Sequence, residues 1–338
     1  MNKTNIFLDL LQSFIKDYLP IAKGASSNTI RSYKYAFKLL FDFMKQAGTE
    51  PDEIRFEDFT TQVFEDFFKW LISVRNCSLS TKNQRHAALL SFSEYAQNHN
   101  FEAAVSFRSN LLKVPLKKAP KKLRSYFTTK EVSVLLSLPD LKSHFGFRNQ
   151  VLLCVMYASG ARAQEVCDLR VKDFEYNSNG LSTLILTGKG NKTRKVSISE
   201  KCSKLLLEYL NRNNLIDRKE KYIFSTLNHE KCSISCIEEI FKKYISEGRQ
   251  LYPDLFLNNN YSPHSMRHST ASHMLEAGVP LVVIKNFLGH ASLTSTQVYA
   301  ELSQGAVDSA VKKWNSLWFP PDTEEFISDK DLLGFLKD

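Results

Sequence analysis

The sequence predicts a mainly α-helical fold with one small β-hairpin or sheet, an α+β chain in two domains. Three observations carry this. Apolar residues recur at helical spacing behind serine N-caps through the first hundred or so residues. A stretch rich in lysine and proline interrupts the pattern at residues 113–124. Beyond it, two β-rich runs stand among further helical signals, separated by a short turn containing glycine. A chain of 338 residues is too long for one ordinary domain and fits two well.

The elements follow in order. Ser26 and Ser27 offer N-caps to a helix on which Ile30, Tyr33, Phe37, Leu40, Phe41 and Met44 form one apolar face. A second helix is expected to start near Ser80 and to bury Ala88, Leu89, Phe92 and Tyr95. Lys82, Arg85 and His86 fall in its first turns, against the helix dipole, so Lys82 and Arg85 are expected to meet DNA. Residues 1–110 thus read as a helical domain. Residues 111–126 read as a linker. Lys113, Lys117, Lys118, Lys121, Lys122 and Arg124 crowd it with positive charge, and Pro115 and Pro120 disfavour helix and sheet alike. Such a strap would neutralise phosphates without reading sequence.

Thr128 and Glu131 form a capping box that opens a second domain at residues 127–316. Helical signals run to about Asp168. The runs 181–187 and 194–198 then form a hairpin whose tip is Gly188, Lys189, Gly190, Asn191 and Lys192. Further helices are expected at 201–211, at 233–246 and from Pro263, the last ended by Gly278. Residues 317–338 read as a separate tail.

A net charge of +9 favours a polyanionic partner. Six scattered cysteines do not form the framework of a small secreted domain. Cys232 and Cys236 stand four apart with no second ligand pair at zinc spacing, and read as ordinary thiols on a helix. Asp9 interrupts the N-terminal apolar stretch and no small-residue cleavage site follows, which argues against a signal peptide. No apolar run approaches the length of a membrane span. The chain is expected to be soluble and cytoplasmic, in a prokaryotic, nucleoid-associated setting, with no membrane partner.

The residues that carry chemistry come in a fixed order. Arg162 sits in Ser159-Gly160-Ala161-Arg162, and Lys189 at the hairpin tip. Pro263 at a helix start puts His264 and Arg267 in the first turn, on one face, where exposed amides already favour an anion. His290 follows in Leu288-Gly289-His290, and Tyr299 comes nine residues later. Taken singly, each is an ordinary structural element: a helix start, a turn, a helix stop, a core tyrosine. Taken together they supply what metal-free attack on a phosphodiester requires. Negative charge grows on the non-bridging oxygens, and Arg162, Arg267 and His290 are donors for it. A tyrosine with a pKa of about 10 needs a guanidinium field and a proton acceptor. The departing oxygen needs a proton, which Lys189 could deliver. The sequence holds no nucleotide-binding loop or metal cluster, so no cofactor and no metal are expected.

In these residues, residues 127–315 resemble the catalytic domain of the tyrosine recombinases, also called the phage integrase family. The N-terminal helices, with their Ser-x-x-Thr starts, are similar to that family's SAM-like core-binding domain. The resemblance implies that Arg162 and Arg267 clamp the phosphate, that Lys189 is the hairpin lysine, and that His264 and His290 are the two active-site histidines. It makes His264 the proton acceptor, Tyr299 the nucleophile and Glu165 the acidic residue that supports Arg162. Ala161, Ala163 and Met266 are minor departures. The implied product is a 3′-phosphotyrosyl link, and the implied function is site-specific integration, excision or resolution of DNA.

The implied partners are double-stranded DNA with a specific recombination site, a homotetramer on paired sites, and accessory DNA-bending or directionality proteins. Trp318, Phe319, Leu332, Leu333, Phe335 and Leu336 make the tail apolar, which suits docking on a neighbouring protomer. Two alternatives stand beside this reading: a type IB topoisomerase-like strand transferase, and a DNA-binding regulator without chemistry. The ending Tyr299-Ala300-Glu301-Leu302 and the plain architecture point to a mobile-element recombinase rather than a dimer resolvase.

Overall fold

The structure, a computed structural model, describes residues 5–118, 125–178, 180–188 and 190–289. The chain divides into two compact units between Lys122 and Leu123.

In the first unit, α1 (Ile6–Ser13) continues into a π-helical segment, Phe14–Ala22, that contains Pro20. Then come α2 (Ser27–Gln46), α3 (Thr61–Ser73), α4 (Leu79–His99) and α5 (Phe101–Leu112). Ser26, Thr60 and Ser78 cap their helices by accepting from the backbone amides of Thr29, Val63 and Thr81. The core is built from aromatic rings around Phe92. Its ring lies 5.2 Å from that of Phe37, 5.5 Å from Phe7 and Phe14, and 5.9 Å from Phe107, mostly edge to face. The expected buried face of α4 is present: Ala88, Leu89, Phe92 and Tyr95 are all buried.

The basic start of α4 differs from the open face that its charges suggest. Lys82 is only 7% exposed, with its amine 5.2 Å above the Phe68 ring. Burial, and then the nearby Lys117, lower its pKa. Arg85 stacks on Tyr35 and donates to the carbonyl and hydroxyl of Ser32. Both cations are engaged within their own unit, because their long stems cover apolar surface that the helix start would otherwise expose. Within the span expected as a linker, Leu111 lies in the last turn of α5 and is buried with Val114 in the first unit's core. Lys117 and Lys118 are exposed. Lys121, Lys122 and Arg124 lie outside the described residues.

The second unit has α6 (Thr129–Ser137), α7 (His144–Ser159), α8 (Ala163–Asp168), and an antiparallel sheet of β1 (Phe174–Glu175), β2 (Ser182–Thr187) and β3 (Thr193–Ile198). Helices α9 (Glu200–Arg212), α10 (Ile234–Leu251), α11 (Pro263–Glu276) and α12 (Leu281–Leu288) complete its described part. Val151, Leu152, Leu153, Val155 and Met156 put α7 at the centre of the core. The hairpin pairs Leu184 with Val196 and Thr187 with Thr193. Gly190 and Asn191 both take positive φ at its tip, a conformation that glycine and asparagine tolerate best. β1 is too short to leave a pattern in the sequence. Cys232 is buried just before α10, and only Cys236 of the pair is on that helix.

The start of this unit is fastened to the base of α11. Ser125 donates to the Asn260 carbonyl at 2.7 Å and pairs with the Ser265 hydroxyl at 2.8 Å. The Phe127 amide donates to Ser269, and its ring stacks on Tyr261 at 4.3 Å. Glu131 closes the Thr128 capping box and also accepts from the Phe256 amide and the Tyr261 hydroxyl. These contacts fix the loop that leads into α11.

Candidate active site

Arg162 is the N-cap residue of α8, and Glu165 is the third residue of that helix. The Glu165 carboxylate accepts from the Arg162 amide at 2.8 Å and from its guanidinium at 2.7 Å. A capping box therefore doubles as the support of a functional side chain. The Arg162 side chain stays 36% exposed while that of Glu165 is 2% exposed. Gly160, just before, takes φ +57 and caps α7. A Cβ there would lie 2.7 Å from a methyl of Leu288, so α12 packs directly on this turn.

Arg267 is 1% exposed. Its Nη1 donates to the Gly160 carbonyl at 2.7 Å and its Nη2 to the Leu288 carbonyl at 2.5 Å. One guanidinium fork thus joins the turn that carries Arg162 to the helix end that precedes His290. His264, exposed at the start of α11, stands with its ring 4.5 Å from that of His268. Ser262, Pro263 and Ser265 set that start: Ser262 caps α11, and its amide donates to the Ser265 hydroxyl.

Gly188 leads into the hairpin tip. A Cβ on it would lie 3.0 Å from Glu165 Oε1 and 3.7 Å from Arg162 Nη1. Its amide donates to the Lys192 carbonyl at 2.8 Å, and Lys192 itself is exposed. The structure therefore brings Arg162, Glu165, Arg267, the hairpin base and the end of α12 to one place. Lys189, His290 and Tyr299 lie outside the described residues.

Arg194, on β3, completes the arrangement. It donates from Nη1 and Nη2 to the two Glu165 oxygens, each at 2.9 Å, and from Nε to the Phe287 carbonyl at 3.0 Å. Burial raises the Glu165 pKa, but hydrogen bonds from Arg194 and Arg162 outweigh it and bring it from 4.5 down to about 2. A depressed carboxylate stabilises the fold above its unfolded pKa, and that stability is lost as pH falls through the folded value. Between about pH 5 and pH 2 the wild type should lose about 3 kcal/mol of unfolding free energy that Glu165→Gln does not lose. Denaturant titrations across that range check this; parallel curves would refute it.

The described chain matches known proteins over both units. The sequence profile of the phage integrase family matches residues 125–305, more than half of the chain. The chain belongs to that family. The family's N-terminal SAM-like domain matches residues 10–103. Tyrosine recombinase XerC of Chlamydia caviae is 27% identical over 303 residues, 85% of this chain and 92% of its own length. Tyrosine recombinase XerD of Staphylococcus epidermidis is 28% identical over 304 residues, 88% of this chain and 96% of its own. In fold, the XerH site-specific recombinase bound to a palindromic difH substrate has a TM-score of 0.68 at 19% identity, over 93% of this chain and 90% of that one. The Tn1549 transposon integrase in complex with circular intermediate DNA has a TM-score of 0.68 at 14% identity, over 91% and 99%. The protein is a tyrosine recombinase, an enzyme of site-specific DNA recombination.

Two residues of this recombinase's site escaped the sequence reading. His268 follows His264 by one helical turn and is 6% exposed; a second histidine at that spacing marks one helix face. Arg194 shares a strand face with Val196 and Ile198, both 1% exposed. A charge at a core-facing strand position signals a buried partner, and that signal was present in the alternation. Among the described residues, no helix is long and apolar enough to cross a membrane.

Proposed function

We propose that this recombinase cleaves and rejoins duplex DNA by transesterification at Tyr299, through a 3′-phosphotyrosyl intermediate. The observation that carries the proposal is the convergence of Arg162 and Arg267. Arg267 bonds the Gly160 carbonyl two residues before Arg162, so both guanidinium groups are anchored at one turn. A phosphodiester there gains donors where charge develops in the transition state. Arg162 and Arg267 clamp the non-bridging oxygens, with Glu165 holding Arg162. His264 accepts the tyrosine proton, Lys189 protonates the leaving 5′ oxygen, and His290 adds a further donor. The phosphotyrosine keeps the energy of the broken bond, so rejoining runs by the reverse displacement.

A nicked suicide duplex built from the DNA that flanks the gene tests this. The wild type should become covalently attached to it, and the absence of any covalent complex would sink the proposal.

The substrate reading extends to the whole assembly. Residues 1–110 act as a core-binding domain, 127–316 as the catalytic domain, and the basic segment between them, with Lys117, Lys118, Lys121, Lys122 and Arg124, follows the DNA backbone. Lys192 at the hairpin tip joins those contacts. Binding should then weaken steeply with salt, by about 10³-fold or more between 50 and 200 mM, in electrophoretic mobility shifts. A flat salt response would rule out these backbone contacts.

Four protomers act on paired sites in a cytoplasmic, nucleoid-associated complex with accessory DNA-bending or directionality proteins, in the service of a mobile element. Residues 317–338 dock on a neighbouring protomer. Deleting residues 320–338 should spare single-strand cleavage and abolish complete recombination; unchanged recombination would rule out the exchange role.

A further inference from the structure

The geometry points to Arg194 as a positioning residue for strand cleavage: through the Glu165 carboxylate it holds Arg162 in register with the end of α12. The inference rests on the recombinase chemistry proposed above and adds a residue to it that does not touch DNA.

Arg194 occupies a core-facing position on β3, with its side chain 12% exposed. A guanidinium in such a place is costly unless its donors are met. Here three of its nitrogens are met at once. Two reach the paired oxygens of Glu165 in a fork-to-fork arrangement that lysine cannot reproduce. The third reaches the Phe287 carbonyl in the last turn of α12. Gly289, at φ +66, leaves room for this: a Cβ there would stand 2.8 Å from Arg194 Cδ.

The bonds close a circuit. Arg162 leads to Glu165, Glu165 to Arg194, Arg194 to the Phe287 carbonyl; the adjoining Leu288 carbonyl leads to Arg267, and Arg267 returns to Gly160. The links are drawn from the Gly160 turn, α8, β3, α11 and α12. Glu165 is the shared acceptor of two arginines, and only one of them, Arg162, is open enough to meet a phosphate. Arg194 is the other. Removing it leaves Glu165 bound to Arg162 alone, free to turn and to draw that guanidinium away from the phosphate. Misplacing a clamping group by about 1 Å costs on the order of 10²-fold in rate while leaving remote binding contacts in place.

Arg194→Ala and the milder Arg194→Lys carry the test. In single-turnover cleavage of the nicked suicide duplex, Arg194→Ala should lower the rate about 10²-fold, with its DNA dissociation constant within about twofold of wild type. Arg194→Lys should fall between the two. The same duplex with a methylphosphonate at the scissile position removes one of the charges that Arg162 answers. On it the ratio of wild-type to variant rate should shrink at least tenfold. An equal defect on both substrates means general disruption and overturns the inference, as does wild-type cleavage by either variant.

A second measurement needs no activity. Without Arg194 the Glu165 carboxyl loses its largest favourable contact, so the acid-induced loss of stability should be smaller, and should level off at higher pH, in Arg194→Lys than in wild type. Superimposed acid profiles overturn the link between the two residues. If the wild type itself forms no covalent complex, the proposed chemistry fails, and the acid profiles still decide the Arg194–Glu165 link.

Discussion

Tyr299→Phe is expected to abolish covalent capture of DNA, lowering the cleavage rate by about 10⁶-fold while leaving DNA binding within about twofold of wild type. Phenylalanine keeps the ring and removes only the oxygen that attacks phosphorus. The chain has thirteen tyrosines, so the assignment must also account for the others. Three in the second unit are committed elsewhere. The Tyr157 hydroxyl pairs with His273 at 2.9 Å, and burial raises its pKa. The Tyr261 hydroxyl donates to Glu131 at 2.8 Å; burial and that carboxylate push its pKa up. Tyr209 is raised to about 12 by burial. Each of these is harder to ionise than a free phenol, the reverse of what a nucleophile needs. The measurement is denaturing electrophoresis of the complex on the suicide duplex, with Tyr157→Phe as the control. A complex that survives Tyr299→Phe would move the nucleophile to another residue.

The sequence made the frame legible because the signals that set it are local. Ser26, Ser78 and Thr128 cap the helices whose starts they announce, and the alternation in 181–187 and 194–198 pairs in the observed hairpin. The grouping of Arg162, Glu165 and Arg267 was legible only through the order and spacing of a motif, since residues over a hundred positions apart leave no local trace of contact. What was hidden depends on tertiary partners. The sequence shows Lys82 only as a cation set against its helix dipole, and the Phe68 ring that lies 5.2 Å from its amine belongs to another helix. Arg194 falls on the core-facing side of β3, but the alternation alone does not say that Glu165 and the Phe287 carbonyl meet it. A capping box at Arg162 was also invisible as such, since arginine is not an N-cap residue by preference; the carboxylate of Glu165 makes it one.

Arg267→Ala is expected to damage stability and cleavage together, and Arg267→Lys to separate them. Alanine leaves the Gly160 and Leu288 carbonyls without the donors that now reach them at 2.7 and 2.5 Å, and each buried unmet group costs about 1–3 kcal/mol. It also empties the space of a large side chain that is 1% exposed. The sum is a loss of several kcal/mol, visible as a lowered midpoint in thermal or denaturant unfolding. Lysine restores the charge and much of the volume, and its single nitrogen can satisfy one carbonyl. A planar fork is needed to span both carbonyls and still direct donors at a phosphate. Arg267→Lys should therefore recover part of the lost stability, yet cleave about 10²- to 10³-fold more slowly than wild type, the range for removal of one preorganised donor. Full activity in the lysine variant would mean that charge alone matters at this position. In that case the alignment of the Gly160 turn with the end of α12 would not be what Arg267 contributes to the reaction.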